Sequence, residues 1–403
     1  MIIDSTPKDV SWFSSSQINM PSVKASDPDG IVKILDACLV DGGQELNVLS
    51  LSITDNDVTL SFNAGHGFNL YQVIAVSGSD DPLINGNHKI VSITNNTATL
   101  NIPGALIDTG TVKAKMAPLG YESVFGKEDQ LKRAYRSLSP KSSKRVLYID
   151  MSYPDETGYA TTSPLRRAMI DICEDMQSLG VQINSLTSLI NNREVDLNGN
   201  LFWYQSRNRT QSSSVDDREL SWMVIGNGEF FYLCVDWSQY SSYGTAGGHS
   251  VFGFGEYIKL GQEQSNKLFL MASENKNDTD SLYGGGLGGY FAPSVSSGVT
   301  AFNTNSGVFK ENLIALLPKT YCYSGRGSAP YPSAAGNFLF THPLRLLDDD
   351  DSVVGFMPSY LFVEHTMEGE NNKQVIDGCL IVRVYMNEKS SPDKANVAFY
   401  VGV

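Results

Sequence analysis

The feature that most constrains this chain is a run of short segments in which hydrophobic and polar residues alternate, each closed by Asn, Asp, Gly or Ser. A period of two places apolar side chains on one face of a strand, and it does not form a helix stripe. The pattern is clearest from Asn47: Leu49, Leu51 and Ile53 alternate with Ser and Thr, Asp55-Asn56-Asp57 turns the chain, and Val58, Leu60 and Phe62 return. This spacing predicts a β-hairpin. Further strands are predicted at 72–76, 89–93, 98–102 and 111–116, with turns at Asn85-Gly86 and Asn95-Asn96, residue types that tolerate positive φ. Five or six short strands so spaced read as a small barrel or sandwich.

At 403 residues, with 41% hydrophobic and 18% charged residues, the chain has material for more than one core. The expected layout is an N-terminal docking segment at 1–46, a small β-domain at 47–117, a linker at 118–145 and a larger β-rich domain at 146–403. The run from Ile31 to Val40 fits either a short helix or a buried strand, because periodicity alone does not decide between them. Residues 117–145 carry no periodic pattern and hold the basic cluster Lys132, Arg133, Arg136, Lys141, Lys144 and Arg145, which reads as a solvated linker.

One prominent amphipathic helix is expected after Ser163-Pro164, a cap followed by a first-turn proline. Leu165, Ala168, Met169, Ile172, Cys173 and Met176 fall on one helical face, and Gly180 would close it. Beyond it, apolar runs such as 221–225, 229–236, 267–272 and 380–386 predict more strands, so the fold class is mainly β. The expected architecture is a small barrel or sandwich followed by a larger sandwich or jelly-roll-like domain.

Composition narrows function. A net charge of −14 repels a phosphate backbone, and one basic cluster is thin support for nucleic-acid binding. No stretch approaches the ~20 apolar residues of a membrane-spanning helix, so no membrane insertion is expected. The N-terminus has no basic-then-apolar leader pattern. Cys38, Cys173, Cys234, Cys322 and Cys379 are scattered without a CxxC, which argues against a zinc site or disulfide framework and fits folding in a reducing cytoplasm.

Motifs for chemistry are missing. His66, His88, His249, His342 and His365 form no HxH, HxxxH or HExxH, and His66 reads as a turn or packing residue. The glycines Gly284, Gly286 and Gly289 match GxGxxG by letter but do not follow a strand and open a helix. Asp348–Asp351 and Asp196–Asn200 read as solvated turns; a calcium loop opening at Asp196 would need Glu where Arg207 stands. No catalytic, cofactor or metal residue is therefore assigned, and no cofactor is expected. Tyr240, Tyr243, Tyr283, Tyr290, Tyr323 and Tyr331 sit among Gly and Ser, a composition suited either to a binding surface or to subunit contacts.

Several short motifs carry a resemblance. Ala64-Gly-His-Gly-Phe68, Val73-Ile-Ala-Val-Ser-Gly78, Leu83-Ile-Asn-Gly86, Val91-Ser-Ile-Thr94 and Thr109-Gly-Thr111 follow one another as in a small β-domain of tailed-bacteriophage structural proteins. Leu35–Gly43, Met116–Tyr121, Arg133–Ser137, Asn200–Ser206, Trp222–Gly228, Phe230–Leu233 and Gly355–Pro358 are also similar to phage virion proteins, with Ser359 where that pattern has Gly. The resemblance implies a virion structural protein of the tail or tail tip, working by protein–protein assembly as a homo-oligomer, a trimer among the options. It offers no catalytic residues. The alternatives are a receptor- or glycan-binding appendage contacting the host surface, a capsid decoration protein and, least favoured, a polysaccharide or cell-wall hydrolase.

Overall fold

The computed structural model describes residues 9–106, 110–127, 129–152, 166–178, 181–183, 201–206, 219–236, 249–259, 267–271, 273–274, 299–303, 314–316, 341–347, 353–363, 373–376, 378–386 and 393–402. The fold is mainly β. After β1 (Ser11–Ser14) and the short helix α1 (Gly30–Leu35), which widens into a π-type turn over Asp36–Asp41, come seven strands. These are β2 (Leu46–Asn47), β3 (Ser50–Thr54), β4 (Asp57–Ser61), β5 (Val73–Ser77), β6 (Gly86–Ile93), β7 (Thr97–Asn101) and β8 (Lys113–Met116).

These seven form one sheet in the order β2-β8-β5-β6-β7-β4-β3. Its two outer strands are halves of one run of chain. The Val48 amide bonds Val112 O on one side and the Leu49 amide bonds Ser61 O on the other, each continuing a ladder. The sheet thus rolls into a small barrel, which removes open edges. Val58, Leu60, Ile74, Val76, Ile90, Ala98, Leu100, Ala114 and Met116 are buried in it, and the hairpin pairs Leu51 with Leu60 and Ile53 with Val58.

The stretch expected to be a linker is not one. It carries β9 (Tyr121–Phe125) and β10 (Lys132–Ser137), which join β11 (Val146–Asp150), β12 (Arg166–Cys173), β15 (Leu201–Ser206) and β21 (Ser273–Glu274) in a six-stranded sheet. A hairpin of β13 (Asp175–Ser178) and β14 (Val181–Ile183) follows β12.

The expected helix after Ser163 is also corrected, since 166–173 is strand β12. Ala168, Ile170 and Ile172 face the main core, while Met169 and Cys173 face a second cluster with Ala134, Val146, Tyr148 and Met176. A strand buried on both faces reads as a nearly continuous apolar run, which a helical template also matches. Among the described residues the one helix is α1, on the segment whose periodicity was ambiguous.

The largest sheet has thirteen strands among the described residues. It runs from β1 at one edge through β16 (Ser221–Gly226), β17 (Phe230–Asp236), β18 (His249–Glu256), β27 (Cys379–Met386), β28 (Asp393–Tyr400), β25 (Val353–Val363), β24 (Thr341–Leu347) and β23 (Ile314–Leu316), with β19 (Ile258–Lys259), β20 (Lys267–Met271), β22 (Val299–Asn303) and β26 (Lys373–Ile376) paired off this path. Both faces are buried: Val224, Phe231, Leu233, Phe252 and Leu270 join the main core, and Ile225, Phe230, Tyr232, Phe269 and Met271 join another with Tyr360 and Phe399. The six-stranded sheet stacks on the first face through Trp203, whose ring lies 6.0 Å from Phe231 and 5.9 Å from Phe252. Main core, barrel interior and α1 are one continuous cluster.

Two positions expose the constraints on this packing. Gln205 is fully buried beneath α1. Its Oε1 accepts the Ile31 amide at 3.1 Å, and its Nε2 donates to the carbonyls of Lys24, Ala25 and Asp27 at 3.1, 3.3 and 2.8 Å. A side chain at Gly30 would meet Gln205 Oε1 at 2.4 Å. Ser359, in β25, is buried at φ +53°, and its hydroxyl has no partner.

Gln205→Ala is expected to lower stability by about 1–3 kcal/mol, the cost of unsatisfied buried groups, read as a lower urea midpoint. Gln205→Glu should be worse, because an oxygen would then face three carbonyl oxygens. Ser359→Gly should raise stability by about 1 kcal/mol, read as a higher urea midpoint, because relief of the left-handed backbone and the buried hydroxyl exceeds glycine's entropic penalty.

Candidate functional site

Among the described residues, a cavity of about 250 Å³ lies where the barrel, the N-terminal strand and the β16–β17 turn meet. Asp9, Ser11, Val73, Asn87, Lys89, Ala117, Pro118, Leu119, Asn227 and Gly228 line it. The topology explains the meeting: β1 pairs with β16, setting Ser11 opposite Gly226, and the Ser11 hydroxyl accepts the Val73 amide at 2.9 Å. Val73 in turn pairs with Lys89 on β6.

The polar groups of the cavity are largely engaged by the protein itself. Asn227 forms an Asx turn, its Oδ1 accepting the Glu229 and Phe230 amides at 2.8 and 3.2 Å, and its Nδ2 donates to Asp9 at 2.9 Å. The Lys89 ammonium donates to Val401 O and Gly402 O at 2.7 and 2.8 Å. Burial moves its pKa down to about 8, against a small upward pull from Asp9. Neither Lys89 nor Asp9 carries a motif signal in the sequence; only Asn227-Gly228 between two apolar runs announces a turn.

Beside the cavity a chain of buried amides fastens the barrel to the large sheet. Gln72 Nε2 donates to Trp12 O at 2.7 Å, and its Oε1 accepts Gln17 Nε2 at 3.0 Å and the Asn69 amide at 2.7 Å. Gln17 Oε1 accepts the Ser14 amide at 2.8 Å, and Trp12 Nε1 donates to Leu70 O at 3.2 Å. Apart from the Gln17–Gln72 bond these partners are backbone groups, so the network positions chain and leaves little for a ligand.

The basic cluster is not a solvated run. Lys132 pairs with Asp150 at 3.2 Å, Arg133 with Asp36 at 2.9 Å, Arg136 with Asp175, Lys141 with Glu229 at 3.8 Å and Arg145 with Glu174. Lys144 donates to Ser137 O at 2.9 Å. Arg133 is nearly buried and also donates to the carbonyls of Gly126 and Asp129, while Tyr135 donates to Asp36 at 2.8 Å. Each cation has an intrachain partner, and the cluster ties the π-type turn, the six-stranded sheet and the β16–β17 turn together.

His66 is buried in the turn Ala64–Phe68. Its Nε2 lies 3.0 and 3.2 Å from the carbonyls of Thr94 and Thr97, and its Nδ1 accepts the Phe68 amide at 3.0 Å. These partners call for the neutral ring with the proton on Nε2, stacked on Phe68 with centroids 5.1 Å apart. Burial lowers its pKa, overriding the two carbonyls. His88 bonds Ile84 O at 3.0 Å and is lowered for the same reason. Cys38, Cys173 and Cys234 are buried free thiols, and Cys379 is buried as well. No cluster of metal-ligating side chains occurs among the described residues.

Trp203 and Trp222 are core residues, bonded to Met271 O and Pro21 O. The six tyrosines proposed as a binding surface lie outside the described residues, as do His365, Cys322, Asp196–Asn200, Gly284–Gly289 and Asp348–Asp351. Compared with known proteins, the chain matches no family model, and none of the curated proteins matches it.

The His66 ring gives a pH prediction. Its folded pKa lies below the unfolded value of 6.5, so its contribution to stability is complete above pH 6.5. That contribution is lost as pH falls from there toward the folded value. In an NMR titration the His66 ring proton should move with a midpoint below 6.5; a midpoint at or above it contradicts the buried neutral ring.

Proposed function

We propose that this protein is a structural component of a tailed-phage particle, in the tail or tail tip, acting through protein–protein assembly. One observation carries the reading. Two motifs that are separate in sequence and resemble a phage β-domain meet at the end of the β5–β8 ladder of the barrel. Gly78, which ends one motif at φ +79°, lies so close to Thr111, which ends another, that a side chain there would stand 2.2 Å from Thr111 O. Gly67 and Gly86, in two further motifs, also take positive φ, at +70° and +123°. The glycines of these motifs stand where the barrel's backbone takes positive φ, and at Gly78 where it also leaves no room for a side chain.

Two other features support it. The barrel has closed edges and is bolted at one end to the body by Gln72, Gln17 and Trp12, which suits a rigid spacer or docking module. Ser359, where the resembling pattern has Gly, holds the positive φ that glycine favours. On this reading the protein is a homo-oligomer contacting other virion proteins, assembled in the bacterial cytoplasm.

Immunogold labelling of intact particles with antibody to this chain tests the proposal. Gold confined to the tail or its tip is the expected outcome. Gold spread over the head would make it a decoration protein, and particles without label would sink the virion reading.

A further inference from the structure

We propose that Lys89 is a latch: its side-chain amine, projecting from the barrel, holds residues 401–402 against the turn at Gly378, and its withdrawal frees the end of strand β28. The geometry carries this. Residues 401 and 402 follow β28, and their amides both donate to Gly378 O at 2.9 Å. The knot is tight: Gly378 takes φ +74°, a side chain there would meet Gly402 Cα at 3.0 Å, and one at Gly402 would strike the Tyr400 ring at 2.1 Å. With the amides turned inward, the carbonyls of Val401 and Gly402 point to the barrel, where the Lys89 Nζ meets both. This clasp joins positions 312 and 313 residues apart in the chain.

The clasp opposes a full charge with neutral dipoles. Asp9 faces Lys89 across the cavity but forms no ion pair with it within 4 Å, since its carboxylate is taken up by Asn227. Glu229, on the Asn227 turn, lies beside Asp9, and the Tyr400 ring covers Gly402. Among the described residues no carboxylate pairs with it within 4 Å, and two carbonyls do not replace the hydration lost on burial, so its pKa is about 8 rather than 10.5.

The direction of the pH effect follows. With the latch open, Lys89 is hydrated and holds its proton to about pH 10.5; with the latch closed it releases the proton near pH 8. Closing therefore sheds a proton between those values, and rising pH favours the closed state. From pH 7 to pH 9 the open fraction should fall by at most roughly tenfold, partial exposure of the amine reducing the effect.

Hydrogen exchange at the Val401 and Gly402 amides of the full chain, corrected for intrinsic rates, measures the opening. Barrel amides such as Leu60 serve as internal reference. In the wild type, opening should decrease from pH 7 to pH 9. Lys89→Met, which leaves both carbonyls without their donor, should exchange several-fold faster at 401–402 with Leu60 unchanged, and should lose the pH dependence. Lys89→Arg, which keeps donors and charge but does not deprotonate in this range, should keep protection and also lose the pH dependence. Wild-type protection at 401–402 in Lys89→Met, or a pH dependence that persists in Lys89→Arg, would overturn the latch.

Discussion

The architecture depends on the side-chain amide of Gln72, buried where the barrel meets the large sheet. An apolar seam between two sheet systems would let them slide, because burial is roughly proportional to area and indifferent to register. An amide there has directional demands: Gln72 must find Trp12 O for its donor and Gln17 and Asn69 for its acceptor. Any other docking would leave it unsatisfied at about 1–3 kcal/mol per group. Trp12 and Ser14, the residues it reaches directly or through Gln17, belong to the strand paired with β16. The barrel's position is thereby transmitted into the register of the central strands. Gln205 does the same for α1, fixing the segment 24–31 beneath which the main core runs.

This division between apolar bulk and a few polar locks explains what could be read from sequence. The hairpin of Leu51, Ile53, Val58 and Leu60 was legible because its strands bury one face, so residue identity alternates with direction. Strand β12 was not, because Ala168 and Ile170 face one core and Met169 and Cys173 another. The polar half of its alternation, Arg167 and Asp171, is interrupted by Met169 and Cys173, and with those two a helical stripe fits as well. β16 and β17 are buried on both faces too, yet their β-branched and aromatic residues and the Asn227-Gly228 turn still marked them as strands. The locks carry no pattern at all: Gln17, Gln72 and Gln205 are single residues whose partners lie up to 181 positions away.

Charge shows the same limit. A cluster of six cations in a stretch without periodicity reads as a solvated linker, and here it is the ionic frame of a sheet. Its carboxylates are Asp36, Asp150, Glu174, Asp175 and Glu229, spread over nearly two hundred residues. In a chain of net charge −14 a cation is more readily matched than an anion, so a basic cluster is a place where distant acids collect. That accounts for a region with little apolar patterning taking regular structure. β10 lies between its ladders to β11 and β9, and its own Arg133 reaches the carbonyls of the 126–129 turn and the π-type turn at Asp36.

Against that background Lys89 is the exception. Arg133 is more deeply buried than Lys89, yet it meets a carboxylate whose charge offsets its desolvation. Lys89 meets two carbonyls, which orient it but return less than hydration would. Among the described residues no acid pairs with it: Asp9, across the cavity, is held by Asn227. A carboxylate would have made the contact between barrel and residues 401–402 permanent over the whole neutral range. Carbonyls leave it closed but cheap to open. The fold is therefore ionically locked across the six-stranded sheet and only lightly held where the end of β28 meets the barrel, so any local opening in this part of the molecule begins there.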